Sequence, residues 1–145
     1  MDTELMLAAV PDAELIGTGS LLGYILEFKG HSRHHTGHGV CTIEVNRGLV
    51  PGVLWKVHDH RALDTKEGVP TAYTIHFLDA KTPKGMVRCW TYRHLPAEYN
   101  IPDMGYYRSV LEGCNEHGLT QSCVREALQR VLFQVGRRTL GNRRP

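Results

Sequence analysis

The spacing of the apolar residues changes once along this chain, and that change limits the folds open to it. Between residues 24 and 92 apolar side chains recur at alternate positions, and beyond Pro102 they recur at intervals of three and four. Tyr24, Leu26 and Phe28 alternate with Ile25 and Glu27. Cys41, Ile43 and Val45 alternate with Thr42 and Glu44, and Val53, Trp55 and Val57 with Leu54 and Lys56. Each segment predicts a half-buried strand. Two more strands are predicted over Ala72 to Leu78, with Tyr73, Ile75 and Phe77 on one face, and over Met86 to Tyr92. The DAKTPKG stretch between them has the Pro and Gly of a hairpin connection. Only HDHRALDTKEG breaks the alternation. It is poor in β-branched residues and closed by Gly68, which predicts a short helical turn.

Helical spacing governs the ends. Asp2 or Thr3 can cap a short helix running to Val10, where Pro11 ends it. Beyond Pro102, Tyr106, Val110, Leu111 and Cys114 share a face, with Asp103 as N-cap and Gly118 past the end. A second helix from Ser122 to Gln134, capped by Thr120 or Ser122, would bury Val124, Leu128, Val131 and Leu132. A block of about six strands followed by two helices is the pattern of an α+β domain, most simply a curled or barrel-like sheet with helices against it.

At 145 residues this is one domain, 1–136, followed by a basic tail, 137–145, expected to be mobile. Arg137, Arg138, Arg143 and Arg144 supply four of the 17 basic residues. The remaining 13 face 15 acids, so the domain proper is slightly acidic and a globally basic nucleic-acid binder is excluded. Nothing aromatic interleaves the arginine tail, which reads as a solvated extension. No apolar run approaches a membrane span, and the acidic start lacks the positive n-region of a leader. Cys41, Cys89, Cys114 and Cys123 form no C-x2-C pair and are expected as free thiols in a reducing compartment, so a cytoplasmic location is expected.

The segment richest in chemistry is LDTKEGVPTAY, residues 63 to 73. Glu67 ends the helical turn, Gly68 lets the chain reverse, and Val69 and Pro70 are apolar neighbours. A carboxylate held beside apolar groups resists ionisation, which moves its pKa toward the range of general acid/base catalysis. An acid before a glycine also serves as an ordinary solvated turn residue. Two other patterns compete for attention. His31, His34, His35 and His38 form H-x2-H-H-x2-H, but this matches no standard zinc spacing and holds no Cys or carboxylate, so a solvated loop beside a cavity is the expected role. Cys89 could pair with His94 or His76 as a nucleophile, although a small strand residue in MVRCWTY is ordinarily a packing residue.

Taken together, these segments resemble the γ-glutamylcyclotransferase-like family, which includes the AIG2-like proteins. Beyond LDTKEGVPTAY, PDAELIGTGSLLGYILEFKG looks like the family's opening strand pair and HTGHGVCTIEV like its glycine-then-strand segment. PGVLWKVHDHRALD looks like its next strand and turn, and EYNIPDMGYYRSVLEGCNEHGL like its C-terminal helix. The resemblance implies a mixed β-barrel with flanking helices around a cavity. In that cavity a γ-glutamyl amine or γ-glutamyl amino acid is cyclised to 5-oxoproline, releasing the amine. It places the catalytic acid/base on Glu67 and a substrate-orienting aromatic on Tyr73. His38 and Gly39, at the start of the following strand, are expected nearest the ligand. The substrate's own α-amine is the nucleophile, so the resemblance implies no cofactor and no metal.

In one respect the chain departs from the family. Its Tyr-Gly-Ser-Asn loop and the strand before it have no counterpart, because Met1 aligns with the residue just after them. The expectation is that the chain starts late, with roughly a dozen residues lying upstream. An unpaired barrel edge would then invite a second copy, giving a homodimer. The small-molecule γ-glutamyl substrate and that second copy are the partners expected, with no nucleic acid and no membrane. A non-catalytic module of the same fold, binding a small molecule or a protein, is the other function open to such a chain.

Overall fold

A computed structural model of the chain describes residues 3–32 and 34–141. Its elements follow in the order α1 (Thr3–Ala9), β1 (Glu14–Lys29), β2 (Val40–Lys56), α2 (Arg61–Glu67), β3 (Tyr73–Thr82), β4 (Gly85–His94), α3 (Met104–Glu116) and α4 (Ser122–Gly141). The four strands form one antiparallel sheet in the order β2-β1-β3-β4. The α+β class expected from the change of period is what the structure has, with four long strands instead of six shorter ones.

The difference lies in β1 and β2. Cys41–Val45 and Val53–Val57, expected as separate strands, are two ends of β2, and the expected opening strand pair is the single strand β1. The intervening NRGLVPG carries turn residues, yet the strand passes through it. Leu22 pairs with Leu49 and Tyr24 with Val45, so Asn46, Arg47 and Gly48 stand opposite Gly23 alone, a bulge. Gly48 is required there, because a Cβ would lie 2.6 Å from the Tyr24 carbonyl oxygen. Pro51 is tolerated because β2 is an outer strand of the sheet.

A barrel was expected, but the sheet is not closed into one. It curls until its outer strands approach at one end, where the contacts run through side chains. The His94 N–H donates to Thr42 Oγ1 at 3.0 Å, Arg93 pairs with Glu44, and the Tyr73 hydroxyl donates to the Cys41 carbonyl at 3.4 Å. A ladder would need the two backbones about 4.8 Å apart; here the Thr42 side chain takes up that space. Ile43, Val50 and Leu78 are buried inside the curl with Leu21, Leu26 and Cys89 around them.

Helices close the rest. From α3 and α4, Tyr107, Val124, Ala127 and Val131 bury against Phe28 of β1, the i, i+3, i+7 stripe that α4 turns inward. Leu128 packs against this cluster as expected, but Leu132, expected in the same stripe, is 49% exposed, and Ala127 is turned to the core in its place. Past the bulge, the edge of β1 away from β2 would leave backbone groups unpaired. Arg130 of α4 donates to the Leu26 carbonyl at 2.6 Å and, through Nε, to Glu27 Oε1 at 3.1 Å, while the Asn100 N–H reaches the Phe28 carbonyl. Glu27 is 1% exposed, and its Oε2 has no hydrogen-bond partner among the described residues.

Both termini refine the sequence reading. Thr3 lies inside α1, where its N–H donates to Glu116 Oε2 instead of its side chain capping the helix; Asp2 lies outside the described residues. α4, expected to stop near Gln134 with a mobile segment after it, continues through Arg137 and Arg138 to Gly141. Arg137 stacks on the Phe133 ring and Arg138 pairs with Glu98 at 2.7 Å, which holds these helix-favouring residues in register. Arg143 and Arg144 lie outside the described residues. Among the described residues no helix is long and apolar enough to cross a membrane, and all four cysteines are free.

Candidate functional site

α2 is only seven residues long, too short to hold itself together in water. It is anchored by Leu63, 3% exposed beside Met6 and Val10 of the α1 segment, and it ends on Gly68 at φ 73°, whose N–H donates to Thr65 and Asp64 carbonyls. The Gly68 carbonyl then accepts from the Thr71 and Ala72 N–H groups, turning the chain straight into β3. This reversal fixes Glu67 at the end of the helix, half-buried beside the start of β3. Burial pushes the Glu67 carboxyl above its ordinary pKa, opposed by the positive charges of Lys66 and His34.

Two tyrosines, from β3 and β4, feel its charge, and a third, from α3, joins them through Cys41. Tyr73, the first residue of β3, has its phenol pushed up by burial and by the Glu67 charge, and its ring meets His94 edge-on at 4.9 Å. Tyr92 of β4 donates its hydroxyl to Asp64 Oδ1 at 2.6 Å, and its phenol is pushed up by burial, by Asp64 and by Glu67. Tyr106 of α3 accepts from the Cys41 N–H at 3.0 Å, placed by Asp103, whose carboxylate caps α3 by accepting from the Gly105 and Tyr106 N–H groups. Cys41 thus meets two phenols through its backbone, Tyr73 at its carbonyl and Tyr106 at its amide. Its thiol is pushed up to about 12 by burial, so it stays protonated.

The histidine loop borders this cluster. His35 stacks on Tyr106 with centroids 4.5 Å apart, and His34 is the imidazole whose charge reaches Glu67. His38 bonds within its own loop, to Thr36 Oγ1 and the His35 carbonyl, and its exposed ring lies nearer Asp103. Gly39 is buried, donates its N–H to the Ile101 carbonyl, and is pressed so closely on Asn100 that a Cβ would lie 2.0 Å from its carbonyl oxygen. Among the described residues no group of three or more His, Cys, Asp or Glu side chains converges to hold a metal ion. Cys89 packs into the curl, its thiol pushed up by burial, while His76 bonds Tyr24 and His94 donates to the Leu95 carbonyl. Two shallow grooves, lined by Thr3, Glu4, Glu112 and Glu116 and by residues around Ser20, Leu49 and Lys81, lie elsewhere on the surface and do not take in Glu67.

Sequence reasoning singled out Glu67 and Tyr73, and the structure brings the two together. It missed Tyr92, which feels the Glu67 charge, His34, whose charge reaches Glu67, Asp64 one turn before it, and Tyr106, which meets Tyr73 across Cys41. Asp64 was open to discovery, since residues three apart on a helix share a face.

The segment from residue 49 to residue 126, more than half of the chain and all of α2, β3, β4 and α3, matches the model of the AIG2-like family. The chain belongs to the AIG2-like family. Among solved structures it is similar to one described as a gamma-glutamyl cyclotransferase, at 24% identity over 87% of this chain and 79% of that one, with a TM-score of 0.78. An uncharacterized protein from Homo sapiens is similar at 25% identity, over 86% and 79% of the two chains, with a TM-score of 0.77. YkqA from Bacillus subtilis shares the fold at 21% identity and a TM-score of 0.67, over 81% of this chain and 44% of its own. No curated protein matches the chain. These likenesses give this AIG2-like protein a gamma-glutamyl-cyclotransferase-like fold built on an open, curled sheet.

Proposed function

We propose that this protein is a γ-glutamylcyclotransferase-like enzyme, converting a γ-glutamyl amine or γ-glutamyl amino acid to 5-oxoproline and the free amine, with Glu67 as its general acid/base. The observation that carries this reading is a half-buried carboxyl with a raised pKa, held at a helix end among tyrosine hydroxyls from other elements. The similarity to a structure described as a gamma-glutamyl cyclotransferase supports it.

The chemistry needs a single proton carrier. Glu67 takes a proton from the substrate's α-ammonium, and the freed amine attacks the γ-carbonyl carbon, forming the ring C–N bond. Collapse of the tetrahedral intermediate breaks the original amide bond as Glu67 returns its proton to the departing nitrogen, and the surplus proton of the ring nitrogen passes through the freed Glu67 carboxylate to the released amine, leaving a neutral lactam and an ammonium. No electron acceptor and no enzyme nucleophile take part. Closing a five-membered ring is intramolecular, so holding the substrate folded supplies much of the acceleration. Tyr73, whose proton goes to the Cys41 carbonyl, contributes a phenol oxygen able to accept from the substrate's α-ammonium, and His38 and Gly39 belong to the strand-entry segment assigned here to substrate contact.

The test is an assay of 5-oxoproline release from a panel of γ-glutamyl amines and amino acids. Glu67→Gln, which keeps the shape and loses the proton, is expected to lower kcat by about 100-fold or more, the usual contribution of a general acid/base. Undiminished turnover in Glu67→Gln overturns the assignment. No product from the wild-type protein with any member of the panel favours a non-catalytic binding module of the same fold.

A further inference from the structure

Asp64 stands one helical turn before Glu67 on α2, so the two carboxyls share a face. Asp64 Oδ1 accepts the Tyr92 hydroxyl at 2.6 Å, and Asp64 Oδ2 lies 2.8 Å from His60 Nδ1. A phenol has one proton to give. Committed to a carboxylate at this distance, in a charge-assisted bond, it is not available elsewhere. We propose that Asp64 is a positioning residue for Glu67, acting through Tyr92: by holding the Tyr92 proton on the helix face it shares with Glu67, it leaves the Tyr92 oxygen able only to accept. The inference rests on the reading of Glu67 as the proton carrier.

The consequence for Glu67 follows from what a donor would do to it. A hydrogen bond given to an ionised carboxylate stabilises the charged form and lowers its proton affinity. Two cationic groups, Lys66 on the same helix and His34 on the histidine loop, already pull Glu67 in that direction, against burial. The other titratable groups in reach are Tyr73 from β3 and Tyr92 from β4. Were Tyr92 free to turn its proton to Glu67, the carboxyl would lose the basicity that catalysis near neutrality requires. Asp64 prevents this, and is itself kept ionised by the Tyr92 hydrogen bond and by His60, against burial and the nearby Asp59 charge. Edge-on ring contacts of His60 with Trp90, and of Trp90 with Tyr92, brace the same arrangement from the outside.

The experiment is a carbon-13 NMR titration of the Glu67 side-chain carboxyl, assigned by its loss in Glu67→Gln, on the whole chain without substrate. Asp64→Ala is expected to raise the acid dissociation constant of Glu67 about tenfold, one pH unit on the titration curve. Asp64→Asn removes the charge but keeps an acceptor for Tyr92, and is expected to give less than half that displacement. Tyr92→Phe is expected to leave Glu67 close to its wild-type midpoint and to abolish the effect of Asp64→Ala in the double variant. An equal displacement from Asp64→Ala with and without the Tyr92 hydroxyl, or none in either background, overturns the proposal. Should Asp64→Ala not fold, Asp64→Ser, too short to reach Tyr92, enters the same cycle. Where the wild-type protein releases 5-oxoproline, Asp64→Ala also moves the ascending limb of the kcat profile to lower pH with KM within about twofold. If the wild-type protein releases none, the assignment of Glu67 falls while the titration still reads the coupling.

Discussion

Glu67 is held in a place that disfavours its charge, and this has a stability consequence separate from catalysis. Burial raises its pKa in the folded chain above the unfolded value. The folded state therefore binds more protons between those two values, and stability falls as pH rises through that window. Below the unfolded pKa both states are protonated and the group contributes nothing further. Glu67→Gln, which is never charged, is expected to raise the thermal midpoint at pH 7 and to match wild type near pH 4, read by circular dichroism melts across pH. A variant less stable than wild type at pH 7 would mean that the carboxylate is compensated in the fold. Glu67 and Tyr73 were legible in the sequence because only five residues, one of them a glycine, lie between them. Tyr92 and Tyr106 were not, since their approach depends on the β3–β4 register and on where α3 docks.

Among the elements, α4 and β1 are joined through a buried carboxylate, Glu27. Arg130 serves both the Glu27 carboxylate and the Leu26 carbonyl, so its removal leaves a buried charge with only a long 3.5 Å bond from the Tyr99 hydroxyl, and an unpaired acceptor beside it. Arg130→Met is expected to destabilise by about 3 kcal/mol in urea unfolding at pH 7, at the low end for a broken buried pair because the arginine is itself partly exposed. Burial already pushes Glu27 up, so the loss should shrink at pH 5, where the orphaned carboxyl protonates, and Glu27→Gln should recover part of it. A loss unchanged between pH 5 and pH 7 would contradict this account. The sequence disclosed α2, β3, β4 and α3 through period and caps, all of them local signals. It hid the unity of β2 because NRGLVPG has turn chemistry, and only its place at the outside of the sheet makes that chemistry harmless. It also hid the last turn of α4, which rests on a distant partner, Glu98.

At the scale of the whole molecule, the sheet has two outer strands that meet only at one end. β2 is blunted by Pro51 and by the bulge at Gly48, which leaves the Gly85–Arg88 half of β4, regular in register and exposed, as the edge open to another backbone. We propose that a second copy pairs there, giving twice the chain mass by light scattering; a monomer at high concentration overturns it. Tyr73, Cys41 and Thr42 all lie where the two outer strands converge, so the candidate site sits at that convergence. Because the strands are stitched there by a hydroxyl and an ion pair instead of a ladder, the distance between them is set by side-chain length. Shortening Glu44 by a single carbon would loosen its hold on Arg93 and let the two strands part there while every strand kept its neighbours, a freedom that a sealed cylinder would not have.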